Sequence, residues 1–197
     1  MTSFCIVLSG RGSNMEALAD AVRDGRLDAR VEFVASDAPD APGLEKARRR
    51  GIDTVVLPYA SEGKENAERR LSGLCSARGV EWIVLAGFMR ILSPEFVTAH
   101  AGRIVNIHPS LLPSFPGRDG IGDAWRFGVA VTGVTIHLVD AGIDSGRILA
   151  QRAVEIFPED SLENLEEKIH TTEHALYWKT LSELFRTGVP AERRWRR

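Results

Sequence analysis

Short apolar runs alternate with stretches of helical periodicity through the first half of this chain, and that rhythm limits the possible folds more than any other feature. Phe4–Leu8, Val31–Ala35, Thr54–Leu57, Trp82–Ala86 and Ile104–Ile107 are rich in Val, Ile and aromatic residues, which predicts short buried strands. Helices are predicted between them, from Asn14 to about Asp24, from Gly43 to Arg50, from Lys64 to Arg78, and briefly after Ser93. In the third, Ala67, Leu71, Leu74 and Cys75 share one face. Ser93-Pro94 supplies a hydroxyl cap followed by proline in the first turn. Strands and helices in strict alternation imply a parallel sheet covered on both faces.

The second half has a different pattern. Val131–Val139 and Arg147–Ile156 read as two strands, and the seven residues Asp140–Gly146 between them are too few for a crossover helix. The pair is therefore expected to be antiparallel. A long closing helix follows, capped by Asp160 or Ser161, with Leu162, Leu165, Ile169, Thr172, Leu176 and Leu184 as its stripe. The expected fold is α/β: a Rossmann-like open sheet, parallel in the N-terminal half, with an antiparallel pair in the C-terminal half and helices on both faces. With 197 residues and 44% hydrophobic content, the chain can bury its core as a single domain, 1–197.

Chemistry gathers where the fifth strand ends. In an extended segment, residues two apart point to one face, so Asn106 and His108 project together, and Pro109 stops the strand there. Open α/β sheets bind ligands at such strand ends. The first strand likewise runs into Ser9-Gly10-Arg11-Gly12-Ser13-Asn14 and then a helix. Glycines permit a tight turn, and amides at a helix N-terminus favour an anion. Met15 and Glu16 follow in place of a third fingerprint glycine, and there is no P-loop lysine, so a monophosphate fits better than a dinucleotide.

Composition narrows the partners. A net charge of −2 argues against a nucleic-acid or membrane surface, and the basic cluster Arg193, Arg194, Arg196 and Arg197 reads as a solvated tail. Cys5 and Cys75 form no motif and read as buried or incidental thiols in a reducing compartment. Without a cationic leader or a long apolar stretch, the expected location is the cytoplasm.

Several stretches taken together resemble the glycinamide ribonucleotide formyltransferases, a folate-dependent family. They are Leu8–Asn14, Leu85–Pro94, Ile104–Gly117, Thr132–His137 with Val139–Gly146, and Glu173–Tyr177, in order along essentially the whole chain. The run Asn106-Ile107-His108-Pro109-Ser110-Leu111-Leu112-Pro113 with Asp144 marks folate formyltransferases as a class, and the early Gly-Ser-Asn and late Glu-His-x-x-Tyr narrow it to the ribonucleotide enzymes. The resemblance implies formyl transfer from 10-formyltetrahydrofolate, a co-substrate, to the amine of 5-phosphoribosylglycinamide, with no metal. It implies Asn106, His108 and Asp144 as the catalytic set. Gly12, Ser13 and Asn14 would form the phosphate cradle, and Glu173 the contact to the nucleotide. Lys64, Met89, Arg90, Ile91, Leu92 and Asn106 would lie on the folate side. Within the one domain, a phosphate-binding half is expected at about 1–100 and a folate and catalytic half at about 101–197. Small molecules are the expected partners of a monomer or homodimer. The chain departs from the family at Arg118–Asp123, which lacks a histidine common in relatives, and at Arg147 and Trp178, which replace prolines.

These residue types suit the chemistry. A neutral amine attacking a formyl carbon makes a tetrahedral intermediate whose oxygen becomes negative, and fixed donors must meet it. The Asn106 amide and a protonated His108 can do so, and a nearby carboxylate, Asp144, favours the imidazolium and can move protons from the amine towards the departing folate nitrogen. Thr135 and His137 share a strand face and either line the site or simply face partly outwards. Asp140 can be turn chemistry. Glu173 borders the buried stripe of its helix and needs a partner, from substrate or protein. His108, His137 and Asp144 as metal ligands fit poorly beside an asparagine and without a close ligand pair. Rival readings are a formyltetrahydrofolate hydrolase, a formyltransferase with another acceptor such as methionyl-tRNA, and a non-catalytic nucleotide-binding module. The two rival enzymes usually carry a further domain, for which this chain has little room.

Overall fold

The structure, a computed structural model, describes residues 1–189, so the basic cluster at Arg193–Arg197 lies outside the described residues. Seven strands form: β1 (Thr2–Leu8), β2 (Ala29–Ser36), β3 (Thr54–Val56), β4 (Trp82–Leu85), β5 (Ile104–His108), β6 (Val131–Leu138) and β7 (Ile148–Glu155). All seven expected strands are present, with ends shifted by one or two residues. They make one sheet in the order β3-β2-β1-β4-β5-β6-β7. The first five pair in parallel, whereas β6 runs antiparallel to both β5 and β7. Neighbours lie on opposite sides of β1, so the strand order reverses between β1 and β4. A crevice opens beyond the C-terminal ends of such strands.

Both sheet faces are covered, and β1 shows why its residues are nearly all apolar. Phe4, Ile6 and Leu8 face one core, under α1 (Ser13–Arg23), α2 (Pro42–Arg49) and α6 (Leu162–Thr187), while Cys5 and Val7 face a second, under α3 (Tyr59–Ala77) and α4 (Pro94–Ala99). The two free thiols meet in that second core, Cys5 Sγ lying 3.9 Å from Cys75 Sγ. On β5, Val105 and Ile107 enter the first core and Ile104 the second. Asn106 and His108 therefore continue the face that α3 and α4 cover, at the point where the cover runs out.

The helices depart from expectation in three places. The α3 assignment begins at Tyr59, but Gly63 breaks it with φ 80° and ψ 172°, so regular helix resumes at the expected Lys64. A helix not anticipated from sequence, α5 (Gly120–Phe127), occupies the atypical stretch. Its Gly120 and Gly122 each weaken helix propensity by about 1 kcal/mol. Asp119 compensates by accepting from the Gly122 amide at 3.2 Å, Ala124 is fully buried, and Ile121 and Trp125 dock on the first core.

Along α6 the buried stripe is Leu165, Ile169, Glu173, Tyr177, Leu181 and Leu184, while Leu162, Thr172 and Leu176 sit at its half-buried margin. Glu173 and Tyr177 belong to the stripe because their polar atoms are satisfied inside, and their places at four-residue spacing shift it away from Leu162, Thr172 and Leu176 and onto Leu181. Tyr177 donates its hydroxyl to the Leu85 carbonyl at 2.8 Å, fastening α6 across the ends of β4 and β5. Leu165, Ile169 and Leu181 each contribute about 1.5–3 kcal/mol by burial. Of the two proposed caps, Ser161 makes a reciprocal capping box with Asn164, and Asp160 pairs instead with Lys168. Among the described residues, no helix is long and apolar enough to cross a membrane.

Candidate active site

A cavity of about 530 Å³ opens at the C-terminal ends of β1, β4 and β5, where the strand order reverses. It is lined by Gly12, Ser13, Asn14, Met89–Leu92, Asn106, His108, His137, Asp144 and Glu173, so both halves of the chain contribute. Two of the residues singled out from sequence lie elsewhere. Lys64 is exposed on α3 and is not part of the wall. Thr135 is fully buried behind it, donating to the Ser110 carbonyl at 2.6 Å and accepting from the Leu112 amide at 3.0 Å. Its work is to hold the Pro-rich loop against β6, which a strand-face argument cannot tell from lining.

At one end the wall is backbone. Gly12 caps α1 in the left-handed region at φ 75°, with no side chain hydrogen-bonded to the first-turn amides, which leaves them for an anion. A Cβ at Gly12 would come within 2.7 Å of the Gly43 Cα, so glycine is required both for the turn and for the close approach of α2. Beneath this loop Asn14 donates to Glu173 Oε2 at 3.0 Å, and His170 Nδ1 donates to the same oxygen at 2.9 Å. That hydrogen bond raises His170 above its ordinary value, against the opposing effect of burial. His170 also lines the cavity and was not picked out from sequence, although its position three residues before Glu173 places it on the same helix face. Glu173 is only 4% exposed, so its charge has partners on the protein side, and Asn14 Oδ1 is buried with no partner among the described residues.

At the other end the wall is side chains. Asn106 and His137 are directly opposed across β5 and β6, and the Asn106 amide donates to His137 Nε2 at 3.2 Å. His137 Nδ1 donates to the Leu138 carbonyl at 2.8 Å, which orients the ring with Nε2 towards the cavity. His108 Nε2 donates to the Phe115 carbonyl at 2.8 Å and turns its Nδ1 edge towards Asp144 Oδ2, 3.5 Å away. Phe115 holds φ 53°, an uncommon conformation for a bulky residue, and no sequence signal marks a backbone carbonyl as the partner of a site histidine.

Asp144 stands between the two imidazoles. Its Oδ1 lies 3.6 Å from His137 Nε2, and its Oδ2 accepts from the Gly117 amide at 2.8 Å. The residue adopts φ 50°, which aspartate tolerates better than most. Burial works against its ionisation, but the His137 contact, the Gly117 amide and the neighbouring imidazoles outweigh that and hold its carboxyl below the ordinary value. Asp140 supplies the turn that carries it, accepting from the Gly142 amide and the Ser145 hydroxyl. The arrangement joins an ionised carboxylate, an imidazole with one edge free of backbone, and a carboxamide retaining one N–H and its oxygen. Among the described residues, no group of three or more metal-binding side chains is placed to hold an ion.

Known proteins share this arrangement of strands and loops. Residues 3–181 match the formyl transferase family. The phosphoribosylglycinamide formyltransferase of Bacillus subtilis is 40% identical over 185 residues, which is 93% of this chain and 95% of that protein. The crystal structure of glycinamide ribonucleotide transformylase 1 from Geobacillus kaustophilus aligns with a TM-score of 0.90 at 44% identity, covering 93% of this chain and 98% of its own. Phosphoribosylglycinamide formyltransferase from Bacillus halodurans gives the same TM-score at 42% identity over 95% of this chain and 97% of its own. Since the match runs from β1 into α6 and takes in every wall of the cavity, this chain belongs to the formyl transferase family.

Proposed function

We propose that this chain transfers the formyl group of 10-formyltetrahydrofolate to the primary amine of 5-phosphoribosylglycinamide, giving formylglycinamide ribonucleotide and tetrahydrofolate in purine biosynthesis. The observation that carries the reading is Asp144, poised within 3.6 Å of both imidazoles in a cavity whose far end is an uncapped helix N-terminus. The phosphate sits on the amides that follow Gly12, at Ser13 and Asn14, and Glu173 meets the nucleotide beyond it. Met89–Leu92 form the folate side. With both substrates so seated, the amine and the formyl carbon would meet beside Asn106 and His108.

The amine nitrogen attacks the formyl carbon, and the carbonyl oxygen becomes an oxyanion. The remaining Asn106 N–H and an N–H on the Nδ1 edge of His108 donate to it. The attacking nitrogen then loses a proton, the bond from carbon to the folate nitrogen breaks, and that nitrogen gains a proton. Asp144, kept ionised, is the base beside this path and stabilises positive charge on the His108 ring. Every residue in the scheme comes from one chain, so a monomer and a homodimer would be equally competent, and we place the reaction in the cytoplasm.

Tetrahydrofolate release tests the reading. Release that requires both 10-formyltetrahydrofolate and 5-phosphoribosylglycinamide is expected; release without the amine would make the chain a hydrolase, and none at all a silent binder. In His108→Ala, turnover should vanish while 10-formyltetrahydrofolate still binds. Loss of binding instead would make His108 an anchoring residue.

A further inference from the structure

The segment between β4 and α4, residues 86–93, carries the exposed apolar residues Met89 and Ile91 on the cavity wall, yet it has no regular structure of its own. Its shape is fixed from behind. Arg90 does not extend its guanidinium freely; Nε donates to Asp37 Oδ2 at 2.6 Å, and the group lies over the Tyr59 ring at 5.5 Å. Asp37 follows β2 directly and its side chain is only 7% exposed. At the other end, buried Glu68 of α3 accepts from the Ser93 amide at 3.0 Å and from the Ser93 hydroxyl. The same Ser93 oxygen caps α4 by accepting from the Phe96 amide.

Two carboxylates removed from water are costly unless strongly partnered, and here both find their donors on this one segment. Tyr59 joins them: its hydroxyl reaches Glu68 at 3.5 Å, and its ring meets Phe88 edge-on at 5.9 Å. Burial and the two nearby negative charges push the phenol up, so it remains a donor. No step of the chemistry uses any of these groups.

We propose that Asp37 and Glu68 are positioning residues for the folate co-substrate, locking residues 89–92 in the shape that receives it by holding Arg90 and Ser93 from outside the cavity. The inference rests on the assignment of Met89–Leu92 to the folate side. Arg90 thereby anchors the segment through Nε while its side chain stays half exposed at the cavity wall. Without Asp37 the guanidinium is free to swing, and the segment samples other conformations before the folate can bind.

Steady-state kinetics of Asp37→Asn, Arg90→Gln and the double variant, with each substrate varied in turn, test this on the intact chain. The charged hydrogen bond lost in Asp37→Asn should raise KM for 10-formyltetrahydrofolate by about five- to tenfold, with kcat and KM for 5-phosphoribosylglycinamide within about twofold. Arg90→Gln should give the same shift, and the double variant should be no worse than either single. Hydrogen exchange of the 88–92 amides should quicken in Asp37→Asn and return towards normal in Asp37→Glu. Glu68→Gln should raise the same KM, and if it fails to fold, the Asp37 series decides alone. A double variant whose effect is the product of the singles would overturn the proposal, as would unchanged kinetics. A rise confined to KM for 5-phosphoribosylglycinamide would leave the positioning intact and instead refute the assignment of Met89–Leu92 to folate. Failure of the wild type to release tetrahydrofolate would refute the proposed reaction before any variant is measured.

Discussion

The two ends of the cavity are made of different material. The end proposed to take the phosphate is a turn and the first amides of a helix, held by a glycine at φ 75° and braced underneath by Asn14, His170 and Glu173. The end proposed for formyl transfer is a meeting of side-chain heads from β5, β6 and the 140–146 loop, with Phe115 and Gly117 contributing backbone partners. A site made of backbone fails when the chain can no longer take its conformation. A site made of side chains fails when one head loses its charge or its proton, even though the fold survives.

Asp144→Asn separates the two most sharply. The substituted amide oxygen can still accept from Gly117, so the fold should persist, but the negative charge beside both imidazoles is gone. A fall in kcat of roughly 10²–10³-fold is expected, in line with about 2.7–4 kcal/mol for a lost electrostatic element of this kind, with KM for the ribonucleotide nearly unchanged. The pH dependence has a definite sign. Because the folded carboxyl is held below its ordinary value, the stability contributed by its ionisation is present above the unfolded value of about 3.9 and disappears as pH falls through the lower folded value. Wild-type turnover should thus not lose this carboxylate anywhere in the neutral or mildly acid range. Near-normal kcat for the variant across that range would remove Asp144 from the chemistry.

The same contrast explains what could be read before any coordinates. Alternation of β1 between two cores and the Asn106/His108 face follow from a period of two residues, and the antiparallel β6 and β7 from a connection too short for a crossover, all of which letters record directly. Glu173 showed from its helix position only that it needs a partner, and its place with Asp144 was legible only through resemblance, since nothing local brings residues 38 or 67 positions beyond Asn106 to the same cavity. Contacts made by backbone left no trace: the Phe115 carbonyl on His108 and the Gly117 amide on Asp144 could belong to any residue type. The α5 helix was hidden because its glycines argue against it and only docking on the first core overrides them. Thr135 was misplaced for a related reason, since a polar residue on the correct face can serve the loop behind the wall as readily as the wall.

Gly12→Ala probes the other material. The added Cβ meets the Gly43 Cα at 2.7 Å and forces an alanine into φ 75°, so the turn must open or α2 must move. Strain of about 1–3 kcal/mol is expected, lowering Tm by several degrees. KM for 5-phosphoribosylglycinamide should rise roughly 10- to 100-fold as the amides leave their aim, while kcat at saturation changes by only a few-fold. Equal losses in kcat and in the folate KM would mean that the phosphate loop shapes the formyl end as well, and the distinction between the two ends would collapse.

The smallest expected effect is His170→Gln, and it tests whether the bracing under the phosphate loop is redundant. His170 is raised by its hydrogen bond to Glu173, so the stability it contributes is fully present below the unfolded value of about 6.5 and is lost as pH rises through the folded value. With 44% of the side chain exposed, solvent screens the pair, and a Tm difference from wild type under about 2 °C is expected near pH 5.5. That difference should shrink to nothing by about pH 9, where the wild-type ring is neutral as well. Asn14 still holds Glu173 Oε2 at 3.0 Å in the variant, so KM for the ribonucleotide at the higher pH should stay within about twofold. A difference in Tm that widened as pH rose would show that the neutral ring, through packing against His174 rather than through its proton, is what the helix depends on.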